Sequence, residues 1–237
     1  MKIINWNCKM NFRKDCQKVF DLNPDILVVP ECEDINKYSI NPKIYSDSYW
    51  IGDNQNKGLA VFTFNNFKIK PYNNYNENYK HILPLEVFND SESFNLIAVW
   101  TKKVGEKTKQ HSNYIRQVNL SFNDYGSFIK SNNSIICGDF NSNLFWVRTG
   151  IDKDHQWLLD YLEAKNIYSS YHKFKNEEQG KETQGTYFHY HKENRPFHID
   201  FCFLSKNLIN RMKSVKLGSY SDWINISDHV PMIVELN

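Results

Sequence analysis

The sequence has no apolar run long enough to cross a bilayer and no excess of either charge. Among its 237 residues, 29 are Lys or Arg and 27 are Asp or Glu, which gives a formal net charge of +2. A membrane-spanning helix needs about 18 consecutive apolar residues, and the N-terminal residues lack the apolar core and small-residue cleavage site of a signal peptide. We therefore expect a cytoplasmic protein with no membrane partner. The near balance of charge excludes a uniformly basic surface but leaves room for a local basic groove.

Cysteines are few, odd in number and widely spaced. The five contain no C-x-x-C pair, so the pattern predicts neither a disulfide framework nor a zinc ribbon. Four of them, Cys8, Cys32, Cys137 and Cys202, lie in apolar runs that are typical of strands. We expect these four to be reduced and buried, where they act as small hydrophobic side chains.

Hydrophobic periodicity predicts more strands than helices. Helices are predicted over 12–22, 111–130 and 153–166, where apolar residues recur at steps of three or four. The segments 32–57, 65–80 and 171–197 are predicted as long loops. Strands are predicted at 2–7, 25–31, 58–64, 94–100, 134–139, 198–205 and 231–236.

This order of elements favours one α/β (α+β) domain over residues 1–237. Helices do not follow each strand, which argues against a doubly wound parallel sheet. Two sheets packed face to face and covered by helices accommodate the order better.

Polar residues cluster at the ends of the predicted strands, and all of them offer oxygen or imidazole donors. Carboxylate and amide oxygens spread over several strands suit Mg²⁺ or Mn²⁺ rather than a thiolate-bound metal. A single acid after a strand is usually a turn or a helix cap, so the prediction depends on five such motifs occurring together. The motifs are "NWN" at 5–7, "PECE" at 30–33, "GDFN" at 138–141, "HID" at 198–200 and "SDH" at 227–229.

The ordered set of motifs resembles the endonuclease/exonuclease/phosphatase family, which has the DNase I-like fold. The resemblance covers essentially the full chain through "INWN", "PDILVVPE", "GLAVF", "GDFNSN", "HIDFCFLS" and "SDHVPM". It implies a four-layer sandwich of two mainly antiparallel sheets flanked by helices, with the active site where the ends of the sheets meet. It also implies a Mg²⁺-dependent phosphodiesterase.

The resemblance assigns a role to each matching polar residue. Glu31 and Asp228 match acids that bind the metal, and Asn7 and Asn141 match amides that hold phosphate oxygens and the neighbouring acid or metal. Asp139 matches the acid that positions or deprotonates the attacking water.

The remaining pair of matching residues is a histidine and its acid. His229 matches the histidine that faces the scissile phosphate. Asp200 matches the acid that hydrogen-bonds the far nitrogen of that histidine and fixes its tautomer.

Two positions depart from the family pattern. Trp100 stands where many relatives carry a histidine or tyrosine aimed at the phosphate, and an indole cannot relay a proton. Lys9 stands where abasic-site endonucleases carry a further metal-site aspartate. A second acid/base group and a very close kinship with that branch are therefore not supported.

The loop over 180–200 is the strongest sequence indication of the substrate. Aromatic residues alternate there with cations, and such a pattern suits stacked bases beside phosphates. We assign Tyr187, Lys192 and Arg195 to substrate binding, while the alternative is a surface hairpin whose aromatics pack on the sheet. A zinc site made of the three histidines of this loop, His189, His191 and His198, is rejected because oxygen ligands already account for the metal.

The prediction is a nuclease, acting as a monomer on DNA or RNA. No membrane-facing apolar hairpin is seen, as a phospholipid phosphodiesterase of this fold would have, and the cysteine signature of inositol phosphatases is missing. A phosphatase or lipid phosphodiesterase of the same fold remains the alternative. A non-catalytic nucleic-acid-binding module is the other, although such a module gains nothing from clustered carboxylates.

Overall fold

The computed structural model describes residues 1–37, 44–102, 114–130, 132–146 and 154–237. Within these residues the strands are β1 (Lys2–Asn5), β2 (Ile26–Cys32), β3 (Asp47–Asn54), β4 (Lys57–Thr63), β5 (Lys68–Pro71), β6 (Ile82–Phe88), β7 (Ser93–Trp100), β8 (Ser134–Asp139), β9 (Ile167–Ser169), β10 (Tyr187–Phe188), β11 (Pro196–Phe197), β12 (Asp200–Ser205), β13 (Met212–Leu217) and β14 (Met232–Leu236). The α-helices are α1 (Phe12–Phe20), α2 (Tyr114–Tyr125), α3 (His155–Ala164), α4 (Ser170–Lys175), α5 (Lys206–Asn210) and α6 (Tyr220–Trp223).

Twelve of these strands form two mixed sheets of six. The first sheet has the order β13-β14-β1-β2-β4-β3 and the second β5-β6-β7-β8-β12-β9, while β10 and β11 pair as a separate hairpin. In each six-stranded sheet one neighbouring pair is parallel, β1 with β2 and β7 with β8, and the other pairs are antiparallel. The predicted sandwich of two mainly antiparallel sheets is confirmed.

Burial on both faces of the central strands produces the four layers. In β1, Ile3 packs between the two sheets whereas Ile4 packs under α1 and α6. In β12, Cys202 faces the space between the sheets and Phe203 faces α2 and α3. Because successive side chains of a strand point to opposite faces, a central strand covered on both sides reads as a continuous apolar run.

The predicted core residues follow this arrangement. Cys8, Cys32, Cys137 and Cys202 are buried and all five cysteines are free thiols, as expected. No helix in the described part of the chain is long and apolar enough to span a bilayer.

Strands with one exposed face were missed by the sequence reasoning. The predicted loop 32–57 contains β3 and the predicted loop 65–80 contains β5. The predicted loop 171–197 contains the β10–β11 hairpin and all of α4 except its first residue. These assignments were wrong because the edge strands β3 and β5 contain no buried residue, and the hairpin strands β10 and β11 have only two residues each. The predicted helix 111–130 is observed from Tyr114 to Tyr125, and its residues 111–113 lie outside the described residues.

The strand directions bring the polar motifs to one edge of the sandwich. The carboxyl end of β1 pairs with the start of β14 through Asn5 and Met232. In the second sheet the end of β8 pairs with the start of β12 through Asp139 and Asp200. Loops at these two strand pairs therefore meet, and they carry the predicted site residues.

Gly138 is required by the close approach of β7 to β8. Its φ is +152°, and a Cβ atom built on it would lie 1.9 Å from the carbonyl oxygen of Val99. Since that neighbour is backbone of a central strand, it cannot move without disturbing the sheet. The glycine thus permits Asp139 to sit at the strand end.

We expect Gly138→Ala to lower the free energy of unfolding by about 3 kcal/mol or more, because overpacking adds to backbone strain. Urea titration measures this, with Gly126→Ala as the control. At Gly126 the nearest atom would be 3.0 Å from the new Cβ, and its φ lies outside the left-handed region. We therefore expect a smaller decrease in the free energy of unfolding for Gly126→Ala. Equal stability of the two variants would contradict this account of Gly138.

Candidate active site

Asp139 lies at the end of β8, buried, with its carboxylate held by amides on both oxygens. Its Oδ1 accepts a hydrogen bond of 2.9 Å from the backbone N–H of Asn141. Its Oδ2 accepts from Asn141 Nδ2 and from Asn7 Nδ2, both at 2.9 Å. Asn141 adopts φ 46°, a left-handed conformation that asparagine tolerates well, and this turn folds its amide back onto the acid.

Asp200 and His229 form a buried pair between the two halves of the site. The Nδ1–H of His229 donates to Asp200 Oδ2 at 2.8 Å, and Asn5 Nδ2 donates to Asp200 Oδ1 at 3.1 Å. The hydroxyl of Thr186 accepts hydrogen bonds from the backbone N–H of Asp200 and of Ile199. The carboxylate is therefore fixed on both oxygens and at its backbone.

The Nε2 atom of His229 is the ring nitrogen that Asp200 leaves unused. No described residue forms a hydrogen bond with it, whereas Nδ1 is committed to Asp200. The ring orientation follows from that commitment. The ring of Tyr187 packs 4.8 Å from the imidazole, measured between centroids.

Hydrogen bonds join the two sheets at this edge. Ser227 Oγ donates to the carbonyl of Asn7 at 2.7 Å and accepts from the N–H of His229 at 3.1 Å. Asn7 in turn reaches Asp139 of the other sheet. The loop before β14 is thereby aligned with the loop after β1.

Burial and neighbouring charges shift two pKa values in this cluster. Burial, and after it the charge of Asp200, raises the pKa of Asp139 to about 7, although His229 and the amides of Asn7 and Asn141 act in the opposite direction. For His229, burial alone would lower the pKa, but the carboxylate of Asp200 outweighs it and raises the pKa to about 9. At neutral pH the imidazole of His229 is therefore a cation, and the Asp139 carboxyl group, whose pKa is near 7, can gain or lose a proton.

Glu31 is presented by a β-bulge near the end of β2. The pairing with β4 shifts between Pro30 and Cys32, and Glu31, the extra residue, has φ 60°. Bulges of this kind re-aim a side chain. The ammonium group of Lys57 lies 2.9 Å from Glu31 Oε2.

Asp228 also has a lysine partner. The ammonium of Lys9 lies 2.9 Å from Asp228 Oδ2 and contacts His191 Nε2. The backbone N–H of Lys9 donates to Asn7 Oδ1 at 3.0 Å, which leaves that oxygen one further lone pair.

The two lysine-paired acids lie near the buried cluster. The charges of Asp228, Asp139 and Glu31 all act on the hydroxyl of Tyr187, whose pKa is raised first by burial and then by these carboxylates. Asp228 and Asp139 both act on His229 as well.

The oxygen donors fit a hard divalent cation. Glu31 and Asp228 are largely buried carboxylates, each neutralised by one ammonium group on one oxygen. A second group, made of Asp139, Asp200 and His229, brings its ligand atoms within 4.8 Å of one another. Oxygen and imidazole donors with no thiolate suit Mg²⁺ or Mn²⁺.

The assigned substrate-binding residues occupy different positions. Tyr187 lies inside the site against His229 and donates or accepts through its hydroxyl with His189 Nδ1 at 3.0 Å. Lys192 and Arg195 lie in the exposed turn between β10 and β11, joined by a backbone hydrogen bond. Their side chains have no ion-pair or hydrogen-bond partner among the described residues.

The three histidines rejected as zinc ligands do not come together. His198 is buried with Nδ1 on the carbonyl of Gln184, His189 bonds Tyr187, and His191 contacts Lys9. Among the described residues only the Asp139, Asp200 and His229 group brings three such ligands together.

Trp100 replaces the expected acid/base side chain with a cation-binding surface. Lys102 Nζ lies 4.4 Å and Lys57 Nζ 5.3 Å from the centroid of its ring. The edge of His81 contacts the same ring at 4.8 Å. Trp100 thus keeps two lysines beside the Glu31 side of the site.

Sequence reasoning did not assign Asn5, Thr186, Ser227 or Lys57. Three of these lie within or beside motifs that were recognised, so their polarity at a strand end was a usable signal. Lys57 gives no such signal, because its partner Glu31 lies 26 positions away in the chain.

The chain belongs to the Endonuclease/Exonuclease/phosphatase family, whose sequence model matches residues 4–229. The family comprises endonucleases, exonucleases and phosphatases, which are enzymes that hydrolyse phosphate esters. No curated protein matches the chain by sequence.

Solved structures share the fold over the whole chain at low identity. An AP endonuclease from Archaeoglobus fulgidus has a TM-score of 0.76 at 12% identity, covering 100% of this chain and 99% of its own. A 3′–5′ exonuclease from Neisseria meningitidis has a TM-score of 0.73 at 17% identity, with 100% of both chains covered. A 3′ phosphatase from Neisseria bound to a product DNA hairpin has a TM-score of 0.71 at 17% identity, covering 100% of this chain and 99% of its own.

Proposed function

We propose that this protein is a divalent-metal-dependent phosphodiesterase that cleaves nucleic acid. The observation that carries the proposal is the buried His229–Asp200 pair beside Asp139, in which Nδ1 of His229 is bonded to Asp200 and Nε2 has no bond to a described residue. During phosphodiester hydrolysis, negative charge grows on the phosphate oxygens as water attacks. A cationic imidazole stabilises that charge, and an acid whose pKa is near 7 can accept the proton of the water.

Asp139 is the residue proposed to orient the attacking water and to accept its proton. Its pKa of about 7 lets it be unprotonated and still basic near neutral pH. Asn7 and Asn141 hold it in place with three N–H donors. Their neutrality also avoids repelling a phosphate anion.

His229 is proposed to donate a hydrogen bond from Nε2 to a phosphate oxygen. The Asp200 carboxylate keeps the imidazole protonated, so a positive donor faces the growing charge. This arrangement stabilises the transition state more than the ground state, because the charge on the phosphate oxygens increases between them.

Glu31, Asp228 and Asn7 are the residues proposed to hold Mg²⁺ or Mn²⁺. When bound, the cation would stabilise the negative charge on the non-bridging phosphate oxygens and on the leaving alkoxide. Lys57 and Lys9 already balance the two carboxylates, so they set how strongly this chain attracts a cation.

Nucleic acid is proposed as the substrate on two grounds. A Neisseria relative of the fold is described with a product DNA hairpin bound. In this chain Lys192 and Arg195 are cations without carboxylate partners in the described structure, next to the hairpin that carries Tyr187. That relative is also a 3′ phosphatase, which makes a terminal phosphate of nucleic acid the second candidate substrate.

The proposal is tested by incubating the purified protein with labelled single-stranded and duplex DNA and RNA, with and without a 3′ phosphate. Bis-p-nitrophenyl phosphate, sphingomyelin and inositol polyphosphates complete the panel. We expect turnover of nucleic acid with Mg²⁺ or Mn²⁺ and none in EDTA. Asp139→Asn, purified identically, controls for contaminating nucleases. Turnover of lipid alone, or of nothing, would reject the proposal.

Removal of the lysine next to Glu31 is expected to tighten metal binding. Lys57→Met leaves the Glu31 carboxylate uncompensated, so calorimetric titration with Mn²⁺ should show an affinity about 3- to 10-fold higher, in keeping with roughly 1 kcal/mol for a partly exposed ion pair. Lys70→Met, which removes the exposed pair with Glu86, is the matched control. Unchanged or weaker binding by Lys57→Met would separate Glu31 from the metal site.

A further inference from the structure

Lys9 places an ammonium group between two side chains of the kinds that bind metal ions. Its Nζ atom lies 2.9 Å from Asp228 Oδ2 and contacts His191 Nε2. The Nδ1 atom of His191 faces the carbonyl oxygen of Ile224 at 3.2 Å, so Nδ1 carries the proton and Nε2 presents a lone pair to the ammonium. A carboxylate oxygen and an imidazole lone pair are ligands of divalent metal ions in proteins. The ammonium group therefore occupies a place that suits a divalent cation.

The two loops that meet at this contact both have an unusual backbone conformation. Lys9 and Met10, after β1, have φ values of 48° and 62°, and Tyr190 and His191, in the β10–β11 hairpin, have φ values of 56° and 55°. Positive φ is uncommon for these residue types, and it persists only where the surrounding structure enforces it. The fold thus holds the ammonium and the imidazole together against the backbone preference of both loops.

The two partners of the ammonium are anchored by bonds that do not involve Lys9. The hydroxyl of Tyr220 donates to the carbonyl oxygen of His191 at 2.7 Å. The backbone N–H of Phe188 donates to the carbonyl oxygen of Asp228 at 2.8 Å, which ties the hairpin to the loop before β14. A change of the Lys9 side chain therefore leaves the carboxylate and the imidazole facing the same place.

Asp228 can serve two cations because it has two carboxylate oxygens. Lys9 is paired with Oδ2, which leaves Oδ1 for the ion that Glu31 and Asn7 are proposed to hold. In two-metal enzymes a pair of neighbouring cations stabilises the attacking and leaving oxygens of a phosphate. In this chain the second cation beside Asp228 is an ammonium group.

We propose that the Lys9 ammonium is a built-in second cation of the active site, held by Asp228 and His191 where a divalent ion would otherwise bind. An ammonium has three N–H donors. Asp228 and His191 accept two of them, which leaves the third for an oxygen of the substrate. The role at a phosphate rests on the proposed function, whereas the place for a cation rests only on these three residues.

Replacement of Lys9 by an oxygen ligand tests whether the place suits a metal ion. Lys9→Asp removes the ammonium and adds a carboxylate, and aspartate tolerates the φ of 48° better than lysine. We expect this variant to bind one more Mn²⁺ per chain than the wild type, with a dissociation constant of about 10⁻⁴–10⁻³ M, as in weak oxygen-ligand sites. The electron paramagnetic resonance signal of free Mn²⁺ during a titration counts the bound ions.

A second variant covers a loss of folding caused by two adjacent acids. Lys9→Asn gives the place a neutral oxygen donor, and it should also bind the additional Mn²⁺. Lys14→Asp makes the same change of net charge as Lys9→Asp at an exposed position of α1, and it should bind no additional ion. Absence of the additional ion from both Lys9 variants, or its presence in Lys14→Asp, would overturn the proposal.

Removal of the imidazole locates the additional ion. His191→Ala combined with Lys9→Asp should lose that ion. His191→Ala alone should bind as many Mn²⁺ ions as the wild type, because there the ammonium fills the place. An additional ion that persists in the double variant, or an ion lost from His191→Ala alone, would reject the assignment.

These counts do not depend on catalysis, so they separate this proposal from the proposed function. An additional ion in Lys9→Asp, together with no turnover of any phosphate ester by the wild type, would support the place for a cation and remove the hydrolase. Turnover by the wild type, together with no additional ion in either Lys9 variant, would do the reverse.

Discussion

Asp139→Asn is expected to lower kcat about 10²- to 10⁴-fold while leaving KM for a nucleic-acid substrate within about threefold. The range is that of general acid or base assistance. The amide has the shape of the carboxylate but cannot accept a proton from water. The loss therefore falls on the chemical step, and steady-state kinetics with a saturating divalent cation measures it.

The control for this variant is an Asp→Asn change on the surface. Asp160→Asn alters a residue of α3 that bonds only Gln156 among the described residues, and its kinetics should match the wild type. A large rise in KM with normal kcat in Asp139→Asn would show that the acid binds substrate rather than activating water.

Asp200→Asn is expected to move the alkaline limb of the pH–rate profile to lower pH by more than one unit, and to lower kcat at neutral pH by about 10²-fold. The carboxylate of Asp200 offsets the burial of His229 and places its pKa at about 9. Without that charge, burial lowers the pKa and the imidazole loses its proton nearer neutrality.

His229→Gln tests whether the limb belongs to the imidazole. That variant should abolish the alkaline limb, and adding Asp200→Asn to it should change kcat by less than about threefold, since paired residues act as a unit. An alkaline limb that stays in place in Asp200→Asn would contradict the pairing.

The His229–Asp200 pair also makes the stability of the fold depend on pH. The folded pKa of His229 lies above its ordinary value of 6.5, so its contribution to folding is complete below pH 6.5 and is lost as the pH rises through about 9. This contribution changes in the same pH window as activity.

All the central strands except β6 were predictable from sequence, whereas the edge strands β3, β5, β9 and β13 were not. The runs that became β2, β8 and β12 are apolar on both faces because a sheet covers one side and helices the other. By contrast, the edge strand β13 has a single buried residue, Val215. The central strand β6 was missed for another reason, because Pro84 interrupts its apolar run. Such segments gain strand structure from their neighbours, which a single sequence does not show.

The acids and amides of the site could be named from strand-end motifs, but their charge partners could not. Lys9 and Lys57 come to Asp228 and Glu31 only through the sandwich. The rings of Trp146 and Phe197 likewise contact each other although the two residues lie 51 positions apart. Tertiary contacts of this range are set by the packing of the sheets, and no local pattern records them.

The bonds from Asn7 to Asp139 and from His229 to Asp200 both bridge from one sheet to the other. The distances between the catalytic groups therefore depend on how the two sheets pack against each other. A substitution that removes a methyl group from the interface between the sheets is expected to change these distances and lower the reaction rate. On heating, activity should be lost in the same transition in which the two sheets separate. Residual activity then reports the fraction of molecules in which the sheets remain correctly packed.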